Sequence, residues 1–184
     1  MAAPKDLIIY GCCGDIEAGK DTTARLMFPW GFRALSFGDA IKETAIYYGW
    51  DGKKDEHGRR LLQHVGDIGR EYNPNIWVER MADRLDREYA AGMRRFVLPD
   101  CRQENEILWV VKTLGGKLLW VRNKTAEDKA KTAAASTHKT ETDWKRVLQQ
   151  GTVPYVEVNN NGTLPETFHS IHKILTEDGI RLIR

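Results

Sequence analysis

Cysteine is scarce in this chain of 184 residues: there are three, two of them adjacent at Cys12 and Cys13 and the third at Cys101. Thiols so placed cannot supply the disulfide framework of a small secreted scaffold, so a reducing cytoplasm is the expected setting. Net charge is nearly absent as well. The 28 basic residues stand against 26 acidic ones, and the balance of +2 provides no global drive toward nucleic acid or an anionic membrane surface. No apolar run approaches the roughly 20 residues that a bilayer-spanning helix needs. Leu7 to Tyr10 is too short for the core of a signal peptide and leads directly into glycine, so it reads as a first strand. Internal repeats and low-complexity tracts are lacking too. What remains is 41% hydrophobic residues in a length suited to one compact domain over 1–184.

Short apolar runs recur between longer helical patterns: Leu7 to Tyr10, Arg33 to Phe37, Phe96 to Leu98, Leu118 to Val121 and Tyr155 to Val158. This alternation predicts an α/β fold, a five-stranded parallel sheet in a three-layer α/β/α arrangement. Helices are expected over Asp21 to Met27 and, with Asp39 as N-cap, over Ala40 to Tyr48. Leu61, Val65, Ile68 and Tyr72 recur at helical spacing; Asn73-Pro74-Asn75 interrupts it; Trp77, Met81, Leu85 and Tyr89 resume it. Two amphipathic helices exceed what one strand crossover requires, so about 42–93 is expected to be a helical insertion. Ile107, Leu108, Val111 and Leu114 form a face that Gly115-Gly116 closes. Asn123 to Thr140 turns polar and lysine-rich, the composition of a lid over about 123–140. Thr163 and Glu166 have capping-box spacing ahead of a last helix.

The chemistry concentrates in Gly14-Asp15-Ile16-Glu17-Ala18-Gly19-Lys20. Two glycines with four residues between them, followed by lysine, between a strand and a helix, make a phosphate-binding loop: backbone N–H groups and an ammonium surround a polyanion at a helix N-terminus. Where serine or threonine usually follows the lysine, this chain has Asp21, with Thr22 and Thr23 behind it. Thr22 can reach phosphate or metal, and Asp21 can hold a metal-bound water. Pro99-Asp100-Cys101-Arg102 follows the third strand, where an α/β sheet presents its carboxyl edge to ligands. Asp100 is suited to organise magnesium through water, and Arg102 to bridge two phosphates with its fork of donors. Arg60, Gln63 and Arg70 can share one polar helix side. Phe37 and Trp77 are candidates to stack on a base, with a core role as the alternative for each. Arg122 ends the fourth strand beside the polar segment that runs to His138 and Glu141.

In this order the pieces resemble the deoxynucleoside monophosphate kinases best known from bacteriophages, within the P-loop nucleotide kinase superfamily. The carriers are Gly11-Cys12-Cys13-Gly14 through Gly19-Lys20-Asp21-Thr22-Thr23-Ala24, Ser36-Phe37-Gly38-Asp39-Ala40-Ile41-Lys42, Arg60-Leu61-Leu62-Gln63 continuing to Val65-Gly66, Asn75-Ile76-Trp77-Val78, Pro99-Asp100-Cys101-Arg102 with Asn105-Glu106, His138-Lys139-Thr140-Glu141, and Val158-Asn159-Asn160-Asn161-Gly162-Thr163-Leu164. The resemblance implies a nucleoside monophosphate kinase fold and transfer of the γ-phosphoryl group of ATP to a 5′-deoxynucleoside monophosphate, with Mg2+ as cofactor. It implies that Gly14, Asp15, Glu17, Ala18, Gly19, Lys20, Asp21, Thr22 and Arg122 bind ATP. Phe37, Lys42, Arg60, Gln63, Arg70, Trp77, Arg102 and Glu106 would bind the acceptor, Asp21, Thr22 and Asp100 would serve the metal, and Lys20, Arg102 and Asp100 would be catalytic. The expected partners are these small molecules rather than nucleic acid or membrane; a homodimer is compatible with the sequence, and a viral source would make the cytoplasm a host's.

A guanine-nucleotide switch would need Asn-Lys-x-Asp after the fourth strand, and the chain has Asn123-Lys124-Thr125-Ala126. Two alternatives stay open: a kinase of another small acceptor, of dephospho-coenzyme A or phosphomevalonate type, and a nucleotide-binding module without turnover.

Overall fold

The computed structural model describes residues 4–132 and 139–183. The chain divides into a sheet unit, Met1–Ala34 with Met93–Arg184, and a helical unit, Leu35–Gly92.

In the sheet unit, β1 (Ile8–Cys13), β2 (Arg33–Ala34), β3 (Arg95–Leu98), β4 (Lys117–Arg122) and β5 (Tyr155–Asn159) form a five-stranded sheet in the order β2-β3-β1-β4-β5. Every pairing is parallel, as the alternating pattern requires. Parallel strands need crossovers, and these place α1 (Lys20–Leu26), α5 (Glu104–Leu108), α7 (Lys139–Gln149) and α8 (Leu164–Glu177) on the two faces, giving the three-layer fold. On one face, Tyr10, Cys12, Leu119, Val121 and Val158 pack with Ala24 and Met27 and with Ile171, Ile174 and Leu175 of α8. The alternate residue Gly11 points the other way, where an added Cβ would lie 2.7 Å from Cys101 Sγ and 3.4 Å from Val110 Cγ1. This explains why β1 continues through Gly11, Cys12 and Cys13 beyond the expected stop at Tyr10: a small residue is required on the crowded face, and glycine does not end the strand.

Other boundaries shift for identifiable reasons. Trp109–Thr113 continues α5 as a π-helical segment, with Leu114 N–H bonded to Trp109 O at 3.0 Å. The wider turn makes Ile107 and Val110 the buried pair, in place of the expected spacing through Val111 and Leu114. α6 (Lys124–Thr132) occupies the polar segment; Asn123 Oδ1 caps it by accepting from Ala126 N at 3.1 Å, and Ala126 is buried. His138 lies outside the described residues. The capping box of α8 is present: Glu166 Oε2 accepts from Thr163 N at 2.6 Å and from Thr163 Oγ1 at 2.8 Å.

The helical unit consists of α2 (Phe37–Tyr47), α3 (Glu56–Tyr72) and α4 (Ile76–Ala90). Phe37 opens α2 rather than ending a strand, so Asp39 falls in the first turn instead of at the cap. Asn73 Oδ1 accepts from Asn75 N at 2.9 Å at the break between α3 and α4. On α3, Ile68 and Tyr72 are 65% and 87% exposed, contrary to the expected buried stripe. The close-packed face is built from glycine instead. A Cβ on Gly69 would lie 2.5 Å from Trp77 Cζ2, and one on Gly66 would lie 3.4 Å from Ile41 Cδ1. Among the described residues no helix is long and apolar enough to cross a membrane.

Cys12, Cys13 and Cys101 are fully buried free thiols, and burial raises all three above the ordinary thiol range, Cys13 to about 12. The native protein at pH 8 is therefore expected to leave all three unmodified by an aromatic disulfide reagent, with three equivalents reacting after denaturation. Because the folded state holds these protons more tightly, their contribution to stability is complete below the unfolded thiol range and is lost as pH rises through the folded values. Urea midpoints should fall steadily from about pH 9 upward.

Candidate functional site

The loop after β1 is shaped by three left-handed or otherwise glycine-favouring backbones: Gly14 at φ 146°, Glu17 at φ 65° and Gly19 at φ 94°. At Gly14 an added Cβ would stand 2.4 Å from Val121 O of β4, so the backbone alone fits there. Ala18 N–H donates to Asp15 O at 3.2 Å, and Thr23 N–H donates to Gly19 O at 2.8 Å as α1 begins. Lys20, at the start of α1, is buried and turns back over the loop, its Nζ donating to Gly14 O at 2.8 Å and to Asp15 O at 2.6 Å. The loop thus curls around its own ammonium.

A support to which the sequence reading gave no role comes from Asn160, just after β5. Its Nδ2 donates to Ala18 O at 2.8 Å, and its Oδ1 accepts from Thr167 Oγ1 at 2.8 Å. Its backbone N–H reaches Arg122 O at 2.8 Å, and its carbonyl accepts from Asn123 Nδ2 at 2.7 Å. A Cβ on Gly19 would lie 2.1 Å from Asn160 Nδ2. The run of three asparagines, Asn159 to Asn161, was the available signal, since short amides favour side-chain to backbone bonds in loops.

Lysines from α6 and α7 also reach the loop. Lys145 Nζ lies 2.6 Å from Asp15 Oδ1, and Lys129 Nζ lies 2.8 Å from Glu17 Oε2. Asp21 is exposed and Thr22 is half-buried, whereas Thr23 is fully buried, which leaves Thr22 as the accessible hydroxyl of the pair. Asp100 and Arg102 follow β3, next to β1 in the sheet; Cys101 N–H donates to Cys12 O at 3.1 Å and holds that turn against the strand. Both residues are half-buried. Glu106 is buried and accepts from Arg102 N at 2.8 Å and Gln103 N at 3.0 Å, so its carboxylate shapes the turn that carries Arg102. Arg122 is held by Glu127 at 2.8 and 3.2 Å and by Glu157 at 3.4 Å, and lies 4.7 Å over the Trp120 ring. The hydrogen bond to Glu127 raises the Arg122 pKa and holds the Glu127 carboxyl below its usual range.

The helical unit holds the other expected residues. Lys42 pairs with Asp39 at 2.8 Å, and Arg84 approaches the same carboxylate at 3.3 Å. Arg70 pairs with Asp67 at 2.8 Å, while Arg60 and Gln63 are exposed on α3. Trp77 is buried over Gly69, and its indole N–H donates to Gly66 O at 2.9 Å, a packing role for the ring. A cavity of about 770 Å³ between α2 and α4 is lined by Phe37, Ala40, Tyr47, Trp77, Arg80 and Arg84 among others.

Strand order, loop and buried lysine together define the P-loop kinase fold of nucleoside monophosphate kinase type. Solved structures agree. A dephospho-CoA kinase from Campylobacter jejuni is similar with a TM-score of 0.51 and 12% identity, over 92% of this chain and 96% of that one. The structure titled TT1252 from Thermus thermophilus is similar with a TM-score of 0.53 and 21% identity, over 93% and 97%. No family model matches the chain, and no curated protein matches its sequence.

Removal of the Asn160 amide takes away a support of the loop: the Ala18 carbonyl loses its 2.8 Å bond, and the Thr167 hydroxyl keeps only the longer contact with Thr163 O at 3.3 Å. Asn160→Ala should therefore destabilise the protein by about 1–3 kcal/mol in urea unfolding. An unchanged midpoint would show that the amide carries no strain of the loop.

Proposed function

We propose that the chain is an ATP-dependent kinase that transfers the γ-phosphoryl group to a 5′-deoxynucleoside monophosphate. The observation that carries the reading is the loop from Gly14 to Lys20, curled around a buried ammonium at the carboxyl edge of the central strand. Loop N–H groups and Lys20 would hold the β- and γ-phosphates. Arg102 would neutralise charge on the transferred group, and Arg122 and the segment that follows would cover the nucleotide. Lys42, Arg70, Arg60 and Gln63 would supply cationic and polar groups of the helical unit for an acceptor phosphate; the cavity walled by Phe37 and Trp77 is lined by Arg80 and Arg84 rather than by these four. Phosphoryl transfer depends on alignment and charge rather than on covalent help, so this inventory suffices in kind.

Magnesium fits the donor set. Thr22, Asp21 and Asp100 offer hard oxygen atoms, the donor type that Mg2+ takes where a few side chains hold it together with a substrate's phosphates. When bound, it would offset charge on the donor phosphates; Thr22 and Asp100 would hold it or its waters.

A second reading, an acceptor of dephospho-coenzyme A type, draws on the Campylobacter jejuni neighbour. One assay separates them: ADP release measured across the deoxy- and ribonucleoside monophosphates and dephospho-coenzyme A. Turnover with a deoxynucleotide supports the proposal; turnover confined to dephospho-coenzyme A supports the alternative; ATP binding without turnover leaves a binding module. Lys20→Ala should lower kcat by about 10²–10³-fold, the loss typical of removing one donor aimed at transition-state charge. Arg102→Ala should lower kcat more than it raises the KM for ATP; the reverse pattern would place Arg102 on the donor alone.

A further inference from the structure

A loop meant for a polyanion carries an unfavourable charge here. Between Gly14 and Asp21 there are three carboxylates, Asp15, Glu17 and Asp21, against the single ammonium of Lys20. Asp15 is the serious case, because it is buried and lies at the start of the loop, where its carbonyl already accepts from Lys20. A carboxylate in that position repels phosphate across a short, poorly screened distance. The structure supplies a partner from a distant part of the chain: Lys145 Nζ of α7 lies 2.6 Å from Asp15 Oδ1 and 5.3 Å from the centroid of the Trp144 ring. Trp144 is buried, which anchors the lysine's backbone. Lys129 of α6 does the same for Glu17 at 2.8 Å, with both side chains largely exposed and the pair correspondingly weak.

We propose that Lys145 is a positioning residue that neutralises Asp15, with Lys129 as a lesser counterpart at Glu17, so that the loop accepts a polyphosphate only while α6 and α7 lie against it. Lys145 acts through Asp15 rather than on the nucleotide. This rests on the phosphate-loop reading, and it assigns to Lys129 of α6 and Lys145 of α7 a role distinct from covering the substrate: they set the charge of the loop.

The test is calorimetric titration of Mg·ATP into the parent chain, Lys145→Met, Lys145→Arg, Asp15→Asn and the double variant Lys145→Met/Asp15→Asn, with thermal melts to verify folding. Lys145→Met should weaken ATP binding tenfold or more. Asp15→Asn should tighten it two- to fivefold, since a repulsive charge is gone. The double variant should recover affinity to within about threefold of the parent, and Lys145→Arg should retain most of it. Failure of Asp15→Asn to rescue Lys145→Met would overturn the proposal and place Lys145 on the nucleotide itself. Equal binding by parent and Lys145→Met overturns it as well, while leaving the phosphate loop standing. A parent chain that does not bind ATP overturns both.

Discussion

The structure turns on the contact between the Lys20 ammonium and the carbonyls of Gly14 and Asp15. Two bonds of 2.8 and 2.6 Å close the loop on itself and fix its curvature. An ammonium beside oriented carbonyls, largely out of water, is a strong interaction, and it helps to offset the cost of burying the lysine. The same contact imposes the backbone requirements around it. Gly14 must pass within reach of the Val121 carbonyl, and Gly19 must leave room for the Asn160 amide, so neither can carry a side chain. The parallel pairing of β1 with β4 brings Val121 there, and the exit of β5 brings Asn160.

Charge is arranged differently in the two units. In the sheet unit, cations converge from several elements on acidic groups of one loop: Lys145 on Asp15, Lys129 on Glu17. In the helical unit, pairs are local along or between neighbouring helices, as in Lys42 and Arg84 about Asp39 or Arg70 beside Asp67. Local i,i+3 pairs are weak and exchange readily with an incoming ligand, whereas the buried Asp15 carboxylate cannot lose its partner without a penalty. The convergent arrangement suits a loop whose shape and charge must be settled beforehand; the local one suits a surface whose pairs exchange readily.

Much of this was legible in the residues. The strand–loop–helix turn at Gly14 to Lys20, the parallel sheet, the break at Asn73 to Asn75 and the capping box of α8 follow from spacing and local chemistry, which act over a few residues. What was hidden depends on close packing. Periodicity assigned Ile68 and Tyr72 to the interior of α3, but the helix approaches its neighbours through Gly66 and Gly69, residues that no hydrophobic pattern marks. The π-helical turn at Trp109–Thr113 moved the buried face of its segment by one position. Trp77 has its indole N–H on a backbone carbonyl, a partner eleven residues away that spacing alone does not name. Asn160 and Lys145 were missed for the same reason: each reaches the loop from more than a hundred residues downstream.

That long reach bears on how the protein acquires its site. The seven residues from Gly14 to Lys20 are synthesised among the first twenty, yet β4, which crowds Gly14, and Asn160, which braces Ala18, come from the second half of the chain. On the ribosome these residues emerge long before the strands that shape them, so the loop can take its folded curvature only when the last strand joins the edge of the sheet.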